Sequence, residues 1–311
     1  MSFNVMLRVT AHNNESPIMR ICLLIVFLLL PASAAAQNGV IVYSGQTTIK
    51  VSRDLLLSQL PESMRADTAM IEMILADMPQ EGISTPMDWT ARYSGQKVLL
   101  GGGVNMAQMP PDMGPAAPAL TPYTGGLQSL ARPNPEIYTD YDNGIVISSA
   151  HSVMGEPYVI TTEVDSTKIM QWIPGSRDST ILGYTVREAT SDVSPEQIQN
   201  VMDQLSTGML PFADQAVSVE SAEFTAWYAP EIPVPAGPMY FSGLPGAILH
   251  VAGQYLMAGS ETVIEISADS IQTTLDRPVQ PPTGIEISQE DYLELFRVQM
   301  GALQKQMENL Q

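Results

Sequence analysis

The sequence predicts a mainly β domain with a few helices (α+β): a strongly curved antiparallel sheet or half-barrel, with a C-terminal helix and one or two short helices packed on it. Three observations predict it. Short runs rich in β-branched residues recur between turn formers, the pattern of antiparallel hairpins rather than of βαβ units. Hydrophobic residues make up 45% of the 311 residues and charged residues 15%, which suits a packed core and excludes a disordered chain. Helical signals are confined to the C-terminus and two shorter stretches.

The first 36 residues read as an address. Met19-Arg20 precedes the apolar run Ile21–Leu30, and Pro31-Ala32-Ser33-Ala34-Ala35-Ala36 supplies the small residues of secretory cleavage. The run is shorter than the roughly 20 residues of a membrane span. Cleavage is expected after Ala36, with Met19 rather than Met1 as the start. Cys22, the one cysteine, heads the apolar run, so it is not placed as a lipid attachment site. It leaves with the leader, and the mature chain has neither disulfides nor thiol chemistry. The expected location is periplasmic or extracellular, with outer-membrane association possible and no transmembrane span after cleavage. Residues 37–311 read as a single domain.

The chain carries 33 acidic against 14 basic residues, a net charge of −19. Phosphates would be repelled, which argues against nucleic acid as a partner. An acidic surface for solubility explains the same balance.

The elements follow in order. Gly39–Val51 is a strand of β-branched residues. Glu62–Asp77 reads as a short helix between Pro61 and Pro79, with Met64, Met70 and Met73 expected in the core. Met87–Tyr93 and Lys97–Leu100 are strands. Residues 101–133 concentrate glycine and proline at a spacing that forbids regular structure, a long loop or insertion. Strands resume at Glu136–Thr139, Gly144–His151, Glu156–Val164 and Lys168–Ile173. Thr180–Thr190 alternates as one strand, with Leu182, Tyr184 and Val186 on one face. Residues 194–215 read as an insertion, helical over Pro195–Gly208. Ser218–Tyr228 and Thr262–Ala268 are strands, and Ser270–Leu275 is expected to pair with the latter. Ser288 caps a final helix whose Tyr292, Phe296, Gln299, Leu303, Met307 and Leu310 recur at helical spacing.

Chemistry-bearing constellations are few. No nucleophile elbow, zinc-binding helix, P-loop or dinucleotide fingerprint occurs. Only His151 and His250 remain in the mature chain, and His250 reads as a hydrogen-bonded structural residue within an apolar strand. Paired carboxylates meet in space rather than in sequence, so a carboxylate-based hydrolase stays open as a reading. Nineteen methionines raise a copper reading through Met106, Met109, Met113, His151 and Met154, because thioether and imidazole ligands select copper(I). Gap-filling is the alternative use of methionine.

The stretch from Trp227 to Gly246 organises the chain. Trp227, Tyr228, Pro230, Glu231, Pro233, Gly237 and Pro238 form an aromatic-proline approach, either a grip for a ligand or a proline-stiffened strap across a sheet end. The strap is favoured. Within Gly243-Leu244-Pro245-Gly246 the Pro245-Gly246 pair then reads as the centre of a type II turn, with positive φ at Gly246, delivering the buried strand from Ala247.

Phe241–Leu249 (FSGLPGAIL) resembles the signature of the GLPGLI family, secreted proteins of Gram-negative bacteria. Ala226–Pro233 with Gly237-Pro238 resembles its AWYTPEIP…GP approach, and Ile181–Thr190 its I-L-G-Y-x-C-x-x-A-T strand. Trp172, the opening strand Val40–Tyr43 and the terminal helix fit as well. Ala247 replaces the second leucine of the name, and Val186 stands where the pattern has cysteine. The resemblance implies an extracytoplasmic β-rich domain of unassigned role and supplies no catalytic residue. The expectation is therefore a secreted, non-enzymatic envelope protein that binds a hydrophobic or protein ligand and uses no cofactor. A copper-binding protein is the alternative and a hydrolase the second alternative.

Overall fold

In a computed structural model, the structure describes residues 38–50, 52–53, 57, 68–77, 81–104, 136–153, 156–163, 170–194, 219–239, 241–257, 259–295 and 298. The chain divides into two units, Met1–Ala36 and Gln37–Gln311. The first lies outside the described residues.

The second unit is one open, curved sheet of twelve strands: β1 (Asn38–Lys50), β2 (Ile83–Ser94), β3 (Lys97–Val104), β4 (Ile137–Asp140), β5 (Ile145–Val153), β6 (Glu156–Glu163), β7 (Ile173–Ile181), β8 (Tyr184–Val193), β9 (Val219–Ala229), β10 (Ala247–Met257), β11 (Ser260–Gln272) and β12 (Ile285–Glu286). The spatial order is β12-β6-β5-β4-β3-β2-β1-β11-β10-β9-β8-β7. Two meanders, β2 to β6 and β7 to β11, thus grow outward from a central β1. Every pair is antiparallel except β12 with β6, which is parallel. That exception departs from the all-antiparallel expectation, because β12 arrives by a crossing rather than a hairpin.

Period-2 burial defines an inner face. In β2, Thr85, Met87, Trp89, Ala91 and Tyr93 are buried and the residues between them are not. The register carries that face across the sheet, placing Tyr43 beside Trp89 and Ile41 beside Ala91, and Ala226 beside Val251. Large aromatics fit because neighbours give way: a Cβ at Gly39 would lie 2.5 Å from the Tyr93 hydroxyl, and one at Gly253 2.5 Å from the Phe224 ring. Both glycines sit directly opposite those aromatics.

Two helices accompany the sheet among the described residues, α1 (Thr68–Asp77) and α2 (residues 289–295 and 298). In α1 the buried position is Ile71, while Met73 is 64% exposed, so the expectation of Met73 in the core is wrong. Two helical residues turn the chain through about 200°, which puts Met73 opposite Ile71. Met64 and the Met70 side chain lie outside the described residues. In α2, Ser288 caps as expected: the Asp291 amide donates to Ser288 Oγ at 3.0 Å. Tyr292 packs with Ile160 of β6. Phe296, Gln299, Leu303, Met307 and Leu310 lie outside the described residues.

Three further strand expectations need correction. Thr180–Thr190 is a hairpin, not one strand, because Leu182 and Gly183 take φ of 51° and 84°, a type I′ turn. A two-residue turn preserves parity, so the alternation reads straight through it. Lys168–Ile173 contributes only Ile173 to a strand among its described residues; β7 lies later. Ser270–Leu275 pairs with nothing upstream in β11, since β11 runs on to Gln272 and pairs with β1 instead, past an irregularity opposite Val42/Tyr43. The extra residue, Asp269, shifts the alternation by one. Residues 101–104 belong to β3 rather than to the loop. The loop's remainder (105–133) and residues 195–215 lie outside the described residues.

Leucine at a left-handed turn position is strained, and Leu182 is also 46% exposed. Leu182→Asn should therefore stabilise the protein by about 1 kcal/mol, read from chemical denaturation.

The segment 273–284 carries the chain from β11 to the far edge. Thirteen residue steps of extended, proline-rich backbone reach about 40 Å, and seven strand spacings span about 34 Å. It crosses the outer face, because Arg92, which lies between the inward Ala91 and Tyr93, forms a two-pronged ion pair with Asp276 at 2.8 Å. Arg277 pairs with Glu136 farther along. Past β12, Tyr292 reaches Ile160, which the ladder places on the inner face. The C-terminal segment thereby wraps the β6 edge.

The Arg92 hydrogen bonds hold the Asp276 carboxyl down at about 2. A depressed carboxyl stabilises the fold above its ordinary value and loses that contribution as pH falls through the folded value. Asp276→Asn should lower the melting temperature at neutral pH. Its deficit should shrink from pH 3.8 downward and vanish near about 2. A deficit unchanged at the acid end would show that the pair acts through packing rather than charge.

Candidate functional site

The strap between β9 and β10 is built by its prolines. Val234 N–H donates to Ile232 C=O, and Ala236 N–H to Val234 C=O, each at 2.8 Å. These are consecutive γ-turns with Pro233 and Pro235 at their centres, where proline's fixed φ suits the inverse γ conformation. The turns set an alternation: Ile232, Val234 and Ala236 are buried, while Glu231 and Pro233 are exposed. The strap then doubles back through a bridge between Ala236 and Ser242, and Ala247 N–H returns to Ile232 C=O at 2.9 Å.

Anchors reach it from elements distant in sequence. Tyr43 of β1 donates to Ile248 C=O at 3.0 Å. Gln96 at the β2–β3 turn donates to Pro233 C=O at 2.8 Å, and Trp172 Nε1 to Ser242 C=O at 2.8 Å. Burial pushes the Tyr141 hydroxyl up to about 12, against a hydrogen bond with Ser242 that works the other way. Phe241 stands edge-on to Phe224 with ring centres 5.0 Å apart.

The turn that follows is not the one expected. Positive φ falls at Gly243 (94°), and Gly246 lies outside the left-handed region, so Leu244–Ala247 is no type II turn. Gly246 is needed for close approach instead: a Cβ there would lie 2.7 Å from the Ala229 carbonyl carbon and 2.9 Å from Pro230 Cα.

The predicted motif residues divide. Tyr228, Gly237, Pro238, Leu244 and Gly246 are buried and belong to the folding of the strap. Glu231, Pro233, Gly243 and Pro245 are exposed, and Pro230 is half-buried. Trp227 is on the outer face, where the Arg177 guanidinium lies 5.6 Å from its ring centre. Arg177 Nε also donates to Glu188 Oε2 at 2.8 Å. This clamp arises from a bulge in which residues 175–177 oppose Glu188 alone. The Arg177 hydrogen bonds hold the Glu188 carboxyl below its ordinary value.

His250 shares that outer face, with Nδ1 2.7 Å from Ser267 Oγ. Burial lowers its pKa, while Glu265 works in the opposite direction. The pair resembles a nucleophile and its base. Ser267 lies in β11, which is paired on both sides, so the surrounding amides are committed to ladders and furnish no oxyanion hole. Of the copper candidates, Met106, Met109, Met113 and Met154 lie outside the described residues, and His151 is placed only by its backbone in β5.

Two inner-face donors escaped the sequence reading. Trp89 is 2% exposed, and its Nε1 has no hydrogen-bond partner among the described residues. Beside it, Thr47 Oγ1 donates to the Met87 thioether at 2.9 Å, a weak acceptor. Two buried tyrosines of the same face have hydrogen-bond partners, Tyr43 in Ile248 C=O and Tyr255 in Thr262. The available signal was the alternation of Met87–Tyr93, which puts Trp89 inward.

Residues 172–250 match the family described as "Protein of unknown function (Porph_ging)", the GLPGLI family. No curated protein matches the chain in sequence. Among solved structures, PNGF-II is similar over 82% of this chain and 32% of its own, at 13% identity and a TM-score of 0.41. The chain thus spans about a third of that protein's length. Lipoprotein LppX of Mycobacterium tuberculosis is similar over 84% of this chain and 99% of its own, at 9% identity and a TM-score of 0.25. Neither likeness is close enough to carry an argument about function.

Proposed function

We propose that this is a secreted, non-enzymatic envelope protein that binds a hydrophobic ligand on the inner face of its sheet; residues 172–250 match the GLPGLI family, whose role is unassigned. The ligand carries an oxygen acceptor. The observation that supports this reading is the inner-face donor Trp89 Nε1, buried with no hydrogen-bond partner among the described residues, near the part-buried Thr47 Oγ1, which donates to the Met87 thioether. Binding sites for apolar ligands combine a mostly apolar lining with a few placed polar groups. A buried donor left unsatisfied is costly, on the order of 1–3 kcal/mol, and a ligand oxygen removes that cost. The leader-like segment at 19–36 supports secretion, and the aromatic-proline strap closes over the face as an architectural element.

The test is solvent extraction and mass spectrometry of protein secreted by a Gram-negative host, followed by titration with a fluorescent fatty acid. Trp89→Phe keeps an aromatic ring and removes the donor. Its unliganded stability should equal or exceed that of the parent, while affinity for the fatty acid falls about tenfold, the worth of one hydrogen bond. An extract without amphiphile together with unsaturable titration would refute the reading.

A further inference from the structure

A buried indole N–H can be met by an anion or by an uncharged oxygen, and the strands around Trp89 discriminate between the two. Trp89 is 2% exposed and lies in β2, directly opposite Tyr43 of β1 and Gly102 of β3. The charged residues of these three strands are Lys50, Asp88, Arg92 and Lys97. All four fall at the outward parity. Asp88 and Arg92 alternate with the buried Met87, Trp89, Ala91 and Tyr93, Lys97 pairs with Ser94, and Lys50 pairs with Glu261. The inner face of β1–β3 is therefore uncharged. A carboxylate or phosphate held at Trp89 would gain a hydrogen bond from the indole, with no cation on these strands to offset its loss of hydration. The net charge of −19 repels it further.

Hydroxyl groups are what this face offers beside the indole. Thr47 and Thr85 are direct partners across β1 and β2, and Thr85 is 5% exposed. Thr85, Met87 and Trp89 project to the same side of β2, so indole and hydroxyls are spread over about 13 Å of one strand. Hydroxyls both donate and accept, which matches a head group with several uncharged oxygens.

We propose, on the reading that the inner face holds an apolar ligand, that this ligand is a neutral lipid whose head carries ester and hydroxyl oxygens, as an acylglycerol does, and that ionised lipids are discriminated against. Trp89 Nε1 donates to one head oxygen, and the threonine hydroxyls serve the others. A fatty acid enters in its protonated form, so its apparent affinity is reduced by the fraction protonated. The titratable side chains on the inner face of β1–β3 are Tyr43 and Tyr93, both pushed up by burial, so the group that titrates is the ligand's own.

The probes are monooleoylglycerol, oleic acid and oleoyl lysophosphatidate, each displacing a fluorescent fatty alcohol from the protein at a pH where carboxyl and phosphate are ionised. Monooleoylglycerol and the lysophosphatidate share chain and ester and differ at the glycerol oxygen that carries the phosphate. Monooleoylglycerol should bind at least tenfold more tightly than either anion. Thr47→Lys places a cation on the inner face and should raise the affinity for oleic acid at least tenfold. Should that variant fail to fold, the affinities of the parent protein decide alone. Anions that match or exceed monooleoylglycerol overturn the proposal and leave the inner-face reading standing. A fluorescent alcohol that never saturates, with no binding of the other lipids, overturns both.

Discussion

Gly246→Val should destabilise the protein by about 3 kcal/mol, and Gly246→Ala by nearly as much. The clash begins at the first side-chain carbon, 2.7 Å from the carbonyl carbon of Ala229 and 2.9 Å from Pro230 Cα. Both are backbone atoms at the exit of β9 and cannot rotate aside as a flexible side chain would. Nor can the strap's two legs part, since Ala229 and Ala247 are fully buried and directly paired. Gly243 is the control. It is exposed and has a φ of 94°, so Gly243→Ala should cost about 1 kcal/mol through backbone strain alone. Denaturant unfolding of the protein separates the two cases. A tolerated Gly246→Ala would show that close approach is not the reason for this glycine.

The strands were legible where one face is buried and the other is not. Met87–Tyr93 alternates because the inner face of β2 is packed and its outer face is open, which is the condition under which periodicity reports structure. Legibility failed where parity hides an event. The turn at Leu182-Gly183 leaves the alternation unbroken, and the extra Asp269 interrupts it inside a continuous strand. The family resemblance located the strap, and its prolines foretold an irregular exit from the sheet. The reason for Gly246 was invisible, because close approach depends on what the fold places alongside, and Ala229 lies seventeen residues away. Trp89 could be called buried from its neighbours. That its indole nitrogen has no acceptor among the described residues depends on strands brought together from across the chain. The Arg177–Glu188 clamp was hidden for the same reason, since a bulge rather than regular pairing turns Arg177 back over Trp227.

Phe241→Ala should cost about 3–5 kcal/mol, the range for emptying a buried aromatic site. Phe241 is 1% exposed and joins the strap to two separate parts of the sheet. Its ring meets Phe224 of β9 edge-on at 5.0 Å and Trp172, just before β7, at 6.4 Å. Its backbone amide closes the turn from Pro238 at 3.1 Å, and Trp172 donates to the next carbonyl, that of Ser242. Loss of the ring therefore opens a cavity where the strap, β9 and the approach to β7 converge. Collapse into it is opposed by the backbone bonds on either side, so little of the lost packing is recovered. Phe241→Leu should recover much of the stability, because it refills volume without the edge-on contact. A strap serving as a mobile gate would give a different result, with Phe241→Ala altering ligand exchange and leaving the denaturation midpoint in place. A shifted midpoint would identify the aromatic-proline stretch as part of the core.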